Sequence, residues 1–163
     1  MTKLGIVCNV DDKIVNLDPK NAMPNCINFV SHAHSDHLPN SNNGLVLATR
    51  ETREIASLRG KTISNHVEHL DDFGLYDAGH ILGARGVLFH DIFYTGDIYT
   101  RDRGFLKGAT IPKCHTLIME CTFGKPEFVF PRIDETIKKV NEIISELYHK
   151  GRSEEHTSEL QSH

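Results

Sequence analysis

Ser31-His32-Ala33-His34-Ser35-Asp36-His37 places four metal-capable side chains within six residues. The apolar run Ile27-Asn28-Phe29-Val30 ahead of it reads as a short strand that delivers the cluster. If the chain stays extended, His32 and His34 point to the same side and can share one ion at roughly 2.0–2.1 Å. Asp36 and His37 follow as the chain turns away, and Pro39 keeps that exit from becoming a helix interior. Side chains adjacent along the chain cannot easily reach the ion that His32 and His34 share, so a second, neighbouring ion is the natural reading. The bland alternative is a histidine-rich surface loop.

A two-ion site needs a further imidazole and, ideally, a carboxylate shared by both ions. His80, in Ala78-Gly79-His80-Ile81-Leu82-Gly83-Ala84, follows a strand and is flanked by glycines that let backbone pack close. Asp97, in Tyr94-Thr95-Gly96-Asp97, sits at another strand end. Each has an ordinary reading too: a strand-end histidine with a structural partner, and a Gly-Asp turn dipeptide.

Short strands and loops dominate the chain. Leu4–Val10 and Lys13–Leu17 read as a hairpin around Asp11-Asp12, with Asp18 closing the second run. Asn40–Gly44 reads as a turn and Leu45–Ala48 as a strand. Thr49 is placed to cap a helix ending at Gly60. Phe73–Tyr76, Val87–His90, Ile92–Thr95 and Cys114–Glu120 complete the strands. One strong helix closes the pattern, with Ile137, Val140, Ile144 and Leu147 at helical spacing, Asp134 as its cap and Gly151 as its stop. Periodicity gives an α/β sheet assembly with a loop-borne site and no more.

The segment Arg152–His163 is similar, nearly residue for residue, to the translation of a common sequencing-library adapter, and is set aside. The genuine protein is then expected to continue past Gly151. Apolar residues make up 39% of the chain, enough to form a core. The net charge of −4 falls to near −2 without that segment, because Arg152 carries +1 and Glu154, Glu155 and Glu159 carry −3. So mild a charge argues against a polyanion-coating surface but not against a nuclease, because bound cations add positive charge locally. Scattered Cys8, Cys26, Cys114 and Cys121 form no Cys-x-x-Cys pair, no secretory signal is visible, and no run approaches the roughly 18 apolar residues of a membrane span. A reduced, cytoplasmic protein is the expectation.

The ordered set of Asp18, His32-x-His34-x-Asp36-His37, Gly79-His80 and Gly96-Asp97 resembles the metallo-β-lactamase fold across residues 4–125. Glu120-Cys121-Thr122-Phe123-Gly124 is similar to the acidic motif A of its β-CASP nuclease branch. The closest likeness is to archaeal RNA 3′-end-processing proteins and ligase-associated DNA exonucleases. The resemblance implies the N-terminal part of a four-layer αβ/βα sandwich over residues 1–124, with a β-CASP cap beginning at 125–151. It implies two divalent metal ions, with zinc favoured by the histidines. His32, His34 and His80 would hold one ion, Asp36 and His37 the second, and Asp97 would bridge them. Asp18 would brace the ligand loop from behind. Asp36 would also orient or deprotonate the attacking water. Glu120 would position a later histidine that donates a proton to the leaving oxygen. That histidine and the last metal ligand fall beyond Gly151 in the family.

The substrate so implied is nucleic acid, RNA favoured over DNA, with no membrane partner and with a homodimer allowed for the intact protein. This chain alone is expected to turn over weakly or not at all. Two rivals stand beside that reading: a thioester or lactone hydrolase of the same fold, and a metal-free scaffold subunit. Arg101, Arg103 and Lys107 are read equally as a phosphate contact and as a solvated loop. His66, His69, His90, His115 and His149 are read as surface or structural.

Overall fold

Val46 and Leu47, neighbours in one strand, point into two different cores, and the layering follows from that alternation. The computed structural model describes residues 5–10, 12–41 and 43–150. Leu4, Asp11, Asn42, Gly151 and the segment 152–163, on which parts of the sequence reading fell, lie outside the described residues. The chain divides into two compact units, Met1–Glu120 and Cys121–His163.

The first unit holds two sheets. In the first sheet β1 (Ile6–Val10) pairs antiparallel with β2 (Lys13–Leu17). Parallel strands β3 (Ile27–Phe29), β4 (Leu45–Leu47) and β5 (His66–Val67) follow in that order. The second sheet runs β6 (Phe73–Asp77), β7 (Arg85–Phe89) and β8 (Ile92–Tyr94), all antiparallel, and then β9 (Thr116–Ile118) parallel to β8. Val15, Leu17, Phe29 and Leu47 from the first sheet form one core with Phe73, Val87, Phe89 and Tyr94 from the second. On the other face of the first sheet, Val46 and Ala48 pack with Ala56 of helix α1 (Arg50–Leu58). Helix, sheet and sheet are therefore stacked, a mixed α/β arrangement.

Thr49 caps α1 as expected, its hydroxyl accepting the Thr52 N–H at 3.2 Å. Gly60 follows the end of α1 with φ of 73°. The turn between β7 and β8 is one residue longer than the sequence suggests, since His90 leaves the strand with φ of 52° and joins Asp91 in the turn. The short strand β5 had no sequence signal, because two residues show no period.

A polar node lies inside the first sheet. The fully buried Asn28 of β3 takes the Asn16 side-chain amide at 3.1 Å and the Met23 N–H at 3.0 Å. Its own amide donates to the carbonyls of Met23 and Leu45, each at 3.0 Å. Both partners of the side chain are thereby satisfied, as burial demands.

The second unit contains helix α2 (Ile133–His149). Its cap corrects the sequence reading. The N-cap is Arg132, with no side-chain cap bond, and Asp134 lies in the first turn, where it accepts the Arg132 guanidinium at 3.0 and 3.2 Å. A carboxylate there still meets the positive end of the helix dipole, so the acid is useful two residues past the cap. Among the described residues no helix is long and apolar enough to cross a membrane.

Candidate metal centre

β3 stops at Phe29, and the chain runs on through Val30 and Ser31 into the histidine cluster before turning at His34, whose carbonyl accepts the His37 N–H at 3.1 Å. That turn brings the His37 ring back beside His32, with ring centres 4.1 Å apart. The loop after β6 brings in His80, and the turn after β8 brings in Asp97. Ligand atoms of His32, His34, His80 and Asp97 lie within 4.8 Å of one another. His34 Nδ1 is 3.0 Å from His32 Nε2 and 3.1 Å from His80 Nε2. Asp97 Oδ2 stands 3.7 Å from His32 Nε2 and 3.6 Å from His80 Nε2. A tetrahedral ion at roughly 2.0–2.1 Å from each ligand spaces its ligand atoms about 3.3 Å apart, in the same range.

The other oxygen of Asp97 faces elsewhere. Oδ1 is 3.6 Å from His37 Nε2, which is itself 3.6 Å from Asp36 Oδ2. One carboxylate thus addresses two groups of ligands. Beside the second group opens a cleft of about 460 Å³ bounded by Asp18, Lys20, Asp36, His37, Leu38 and Tyr94.

Asp18 sets the protons. Its Oδ2 accepts from Ser31 Oγ at 2.6 Å, His37 Nδ1 at 2.7 Å and Tyr94 Oη at 2.8 Å, while Oδ1 accepts the Ser31 N–H at 2.7 Å. A carboxylate only accepts, so the Ser31 hydroxyl spends its one hydrogen on Asp18. Ser31 Oγ must then accept from His32 Nδ1, 2.9 Å away. Both His32 and His37 therefore carry hydrogen on Nδ1 and present a bare Nε2 to the site. Asp18 adopts φ of 44° to reach this position. Aspartate tolerates that left-handed backbone better than most residues.

The electrostatics keep His32 neutral, in line with its tautomer, and treat His37 differently. Burial, then the His37, His80 and His34 rings, push the His32 imidazole down to about 2, so it stays neutral at physiological pH. Burial and His80 lower His34 as well. For His37 burial acts downward, but the Asp18 hydrogen bond and the surrounding carboxylates outweigh it and raise the ring. Burial and Asp18 raise the Tyr94 phenol, keeping it a donor.

The donor set fits a divalent cation. His34 Nδ1 carries one hydrogen at most, so it can bond to only one of the two nitrogens beside it. The other contact sets lone pair against lone pair unless a cation lies between. Neutral imidazoles with fixed tautomers and an adjoining carboxylate are the ligands zinc takes.

Every site residue named from the sequence is accounted for. His32, His34, His80 and Asp97 come together, with Asp36 and His37 next to them and Asp18 behind. Glu120 Oε1 accepts the N–H of Ile98 at 2.9 Å, tethering the residue after Asp97 to the end of β9. Among the described residues, none of His66, His69, His90, His115 and His149 joins the cluster. Sequence reasoning missed Ser31 and Tyr94. Both stood inside quoted motifs, but their shared partner is a tertiary contact, 76 residues apart for Tyr94 and Asp18.

No family model matches the chain. It is 33% identical to a "Probable DNA ligase" of Opitutus terrae over 69% of this chain and 12% of that protein. It is 29% identical to "Transcription termination factor FttA" of Methanococcus maripaludis over 76% of this chain and 27% of that one. An "RNase J-like protein" of Methanocaldococcus jannaschii is 26% identical over 93% of this chain and 44% of its own length. The chain thus spans less than half of each of these relatives.

Proposed function

We propose that the chain belongs to the β-CASP branch of the metallo-β-lactamase nucleases, and that the whole protein hydrolyses phosphodiester bonds of RNA, in 3′-end processing, termination or decay. The observation that carries the reading is the carboxylate of Asp97, turned at once towards His32 and His80 and towards His37. RNA is preferred to DNA because the names FttA and RNase J-like belong to RNA metabolism, against one ligase. The stacked sheets would form the N-terminal part of a four-layer αβ/βα sandwich, with a cap domain beginning near residue 125. A cytoplasmic location is part of the same proposal.

His32, His34 and His80 would hold one ion and Asp36 and His37 a second, with Asp97 between them. Two divalent ions, zinc by the histidine-rich ligand set, would supply charge neutralisation for the phosphate and lower the pKa of the attacking water. Asp36, about half exposed at its side chain, would orient that water and take its proton. Lys20 on the cleft wall offers a cation to the phosphate backbone. Glu120 steadies the Asp97 turn and would align a proton donor for the leaving oxygen in the whole protein.

The test uses full-length protein, because this chain alone is expected to be weak or inactive. Labelled single-stranded RNA and DNA of one sequence are incubated with zinc-loaded protein, with chelator-treated protein, and with His34→Ala. Cleavage of RNA, abolished by both treatments, supports the reading. Intact RNA and DNA beside rapid hydrolysis of a thioester or lactone would replace it with the small-substrate hydrolase. A full-length protein that binds no metal would replace it with the scaffold subunit.

A further inference from the structure

Arg103 belongs to no ligand set, yet its Nη2 donates to the main-chain carbonyl of His80 at 2.7 Å. Its guanidinium carbon also stands 4.9 Å from the centre of the Tyr99 ring. The segment that carries both residues is a closed clip. Tyr99 N–H donates to Ala78 O, Ala109 N–H to Tyr99 O and Thr110 N–H to Asp77 O, at 2.7–2.8 Å. Within it, Asp102 accepts the Gly108 N–H at 2.8 Å and pairs with Lys107 at 3.0 Å, and Arg103 and Leu106 exchange backbone bonds around Gly104. The clip lies so close over Gly79 that a Cβ there would sit 2.2 Å from Tyr99 O.

His80 needs such a hold. It follows Gly79 (φ of 69°), and Gly83 (φ of 81°) ends its loop, residues whose backbones are the least restrained of any. The far end is already anchored, because Gly83 O accepts the hydroxyls of Thr49 at 2.8 Å and Thr52 at 3.2 Å. We propose that Arg103 is the positioning residue of His80. By gripping the His80 carbonyl it fixes the peptide plane from which the imidazole projects, so that Nε2 faces His34 and Asp97 before any ion arrives. Arginine suits the task because a planar fork can stack on Tyr99 and donate in the same pose, which an ammonium cannot. The inference rests on the metal reading of the cluster.

The experiment compares wild type, Arg103→Ala, Arg103→Lys and His80→Ala in the full-length protein. Three quantities are read: hydrogen exchange of the Gly79–Gly83 amides without metal, zinc affinity by chelator competition, and kcat and KM on labelled RNA at saturating zinc. Arg103→Ala is expected to speed exchange in that loop and weaken the His80-dependent zinc by about 10–100-fold. At saturating zinc its kcat should recover while KM stays at the wild-type value. Arg103→Lys should fall between and carries the test if the alanine variant does not fold. Unchanged zinc affinity with a raised KM would make Arg103 a substrate contact and overturn the proposal. Wild type without zinc, or His80→Ala with full zinc affinity, would instead overturn the metal reading beneath it.

Discussion

Asp18 takes the Nδ1 hydrogen of His37 at 2.7 Å, and with it fixes which nitrogen that ring shows to the site. Through Ser31 the same oxygen fixes His32. Asp18→Asn reverses this, since an amide nitrogen donates where the carboxylate accepted. The expected outcome is a mixture of His37 tautomers by ring-nitrogen NMR and about 10–100-fold weaker zinc binding. An unchanged His37 tautomer in the variant would refute the assignment.

Tyr94→Phe removes one of the three donors on Asp18 Oδ2 and leaves the ring in the core. Loss of this one bond should destabilise the protein by about 1 kcal/mol in urea unfolding. Zinc affinity should drop less than in Asp18→Asn, because Ser31 and His37 still hold the carboxylate. A larger zinc defect than that of Asp18→Asn would mean Tyr94 acts on the ligands by another route.

Metal-free protein should lose stability on acidification. His32 is held near 2 by burial and by its neighbouring rings, and His34 is lowered by burial and His80, whereas both titrate near 6.5 when unfolded. Below that pH the unfolded chain binds protons the folded chain refuses, so stability falls progressively as pH drops from about 6.5. His37 runs the other way: its raised pKa gives stability that is full below about 6.5 and fades as pH rises through the folded value. With two lowered rings, one fully buried, against one raised, the net Tm should decline from pH 7 to pH 5. Calorimetry on chelator-treated protein checks this, and a Tm that rose on acidification would contradict it.

Gly79→Ala and Gly60→Ala form a matched pair, because φ is 69° at one and 73° at the other. At Gly60 a new Cβ meets nothing within 4 Å, so only the left-handed backbone is penalised, about 1–2 kcal/mol. At Gly79 the Cβ would also strike Tyr99 O at 2.2 Å and Ala109 N at 2.9 Å, both main-chain atoms. The extra cost should be about 1–3 kcal/mol. Equal losses for the two variants in denaturant titration would show that the clip yields.

The histidine cluster was legible because its residues are contiguous and their chemistry is distinctive. The Thr49 cap and the β7–β8 pair were legible because their signals are local. Three things were not. The order of parallel strands in the first sheet depends on pairings between distant segments, which periodicity does not encode. The second helix begins at an arginine with no side-chain cap, so the acid after it drew the boundary too late. Ser31, Tyr94 and Arg103 matter through a single distant partner each, and a serine, tyrosine or arginine in a strand end or loop has no sequence mark of that partner.

Asn28 carries a consequence for folding fidelity. Parallel strands three residues long offer several near-equivalent alignments, and a slip of one residue would turn every side chain on β3 to the opposite face. Only in the observed alignment does the Asn28 side chain meet Asn16 on one neighbour and the Leu45 carbonyl on the other. A slipped strand would strand that amide in a dry interior and aim His32 and His34 away from His80. The fidelity of a metal centre is in this way guarded by an uncharged amide that touches none of its ligands.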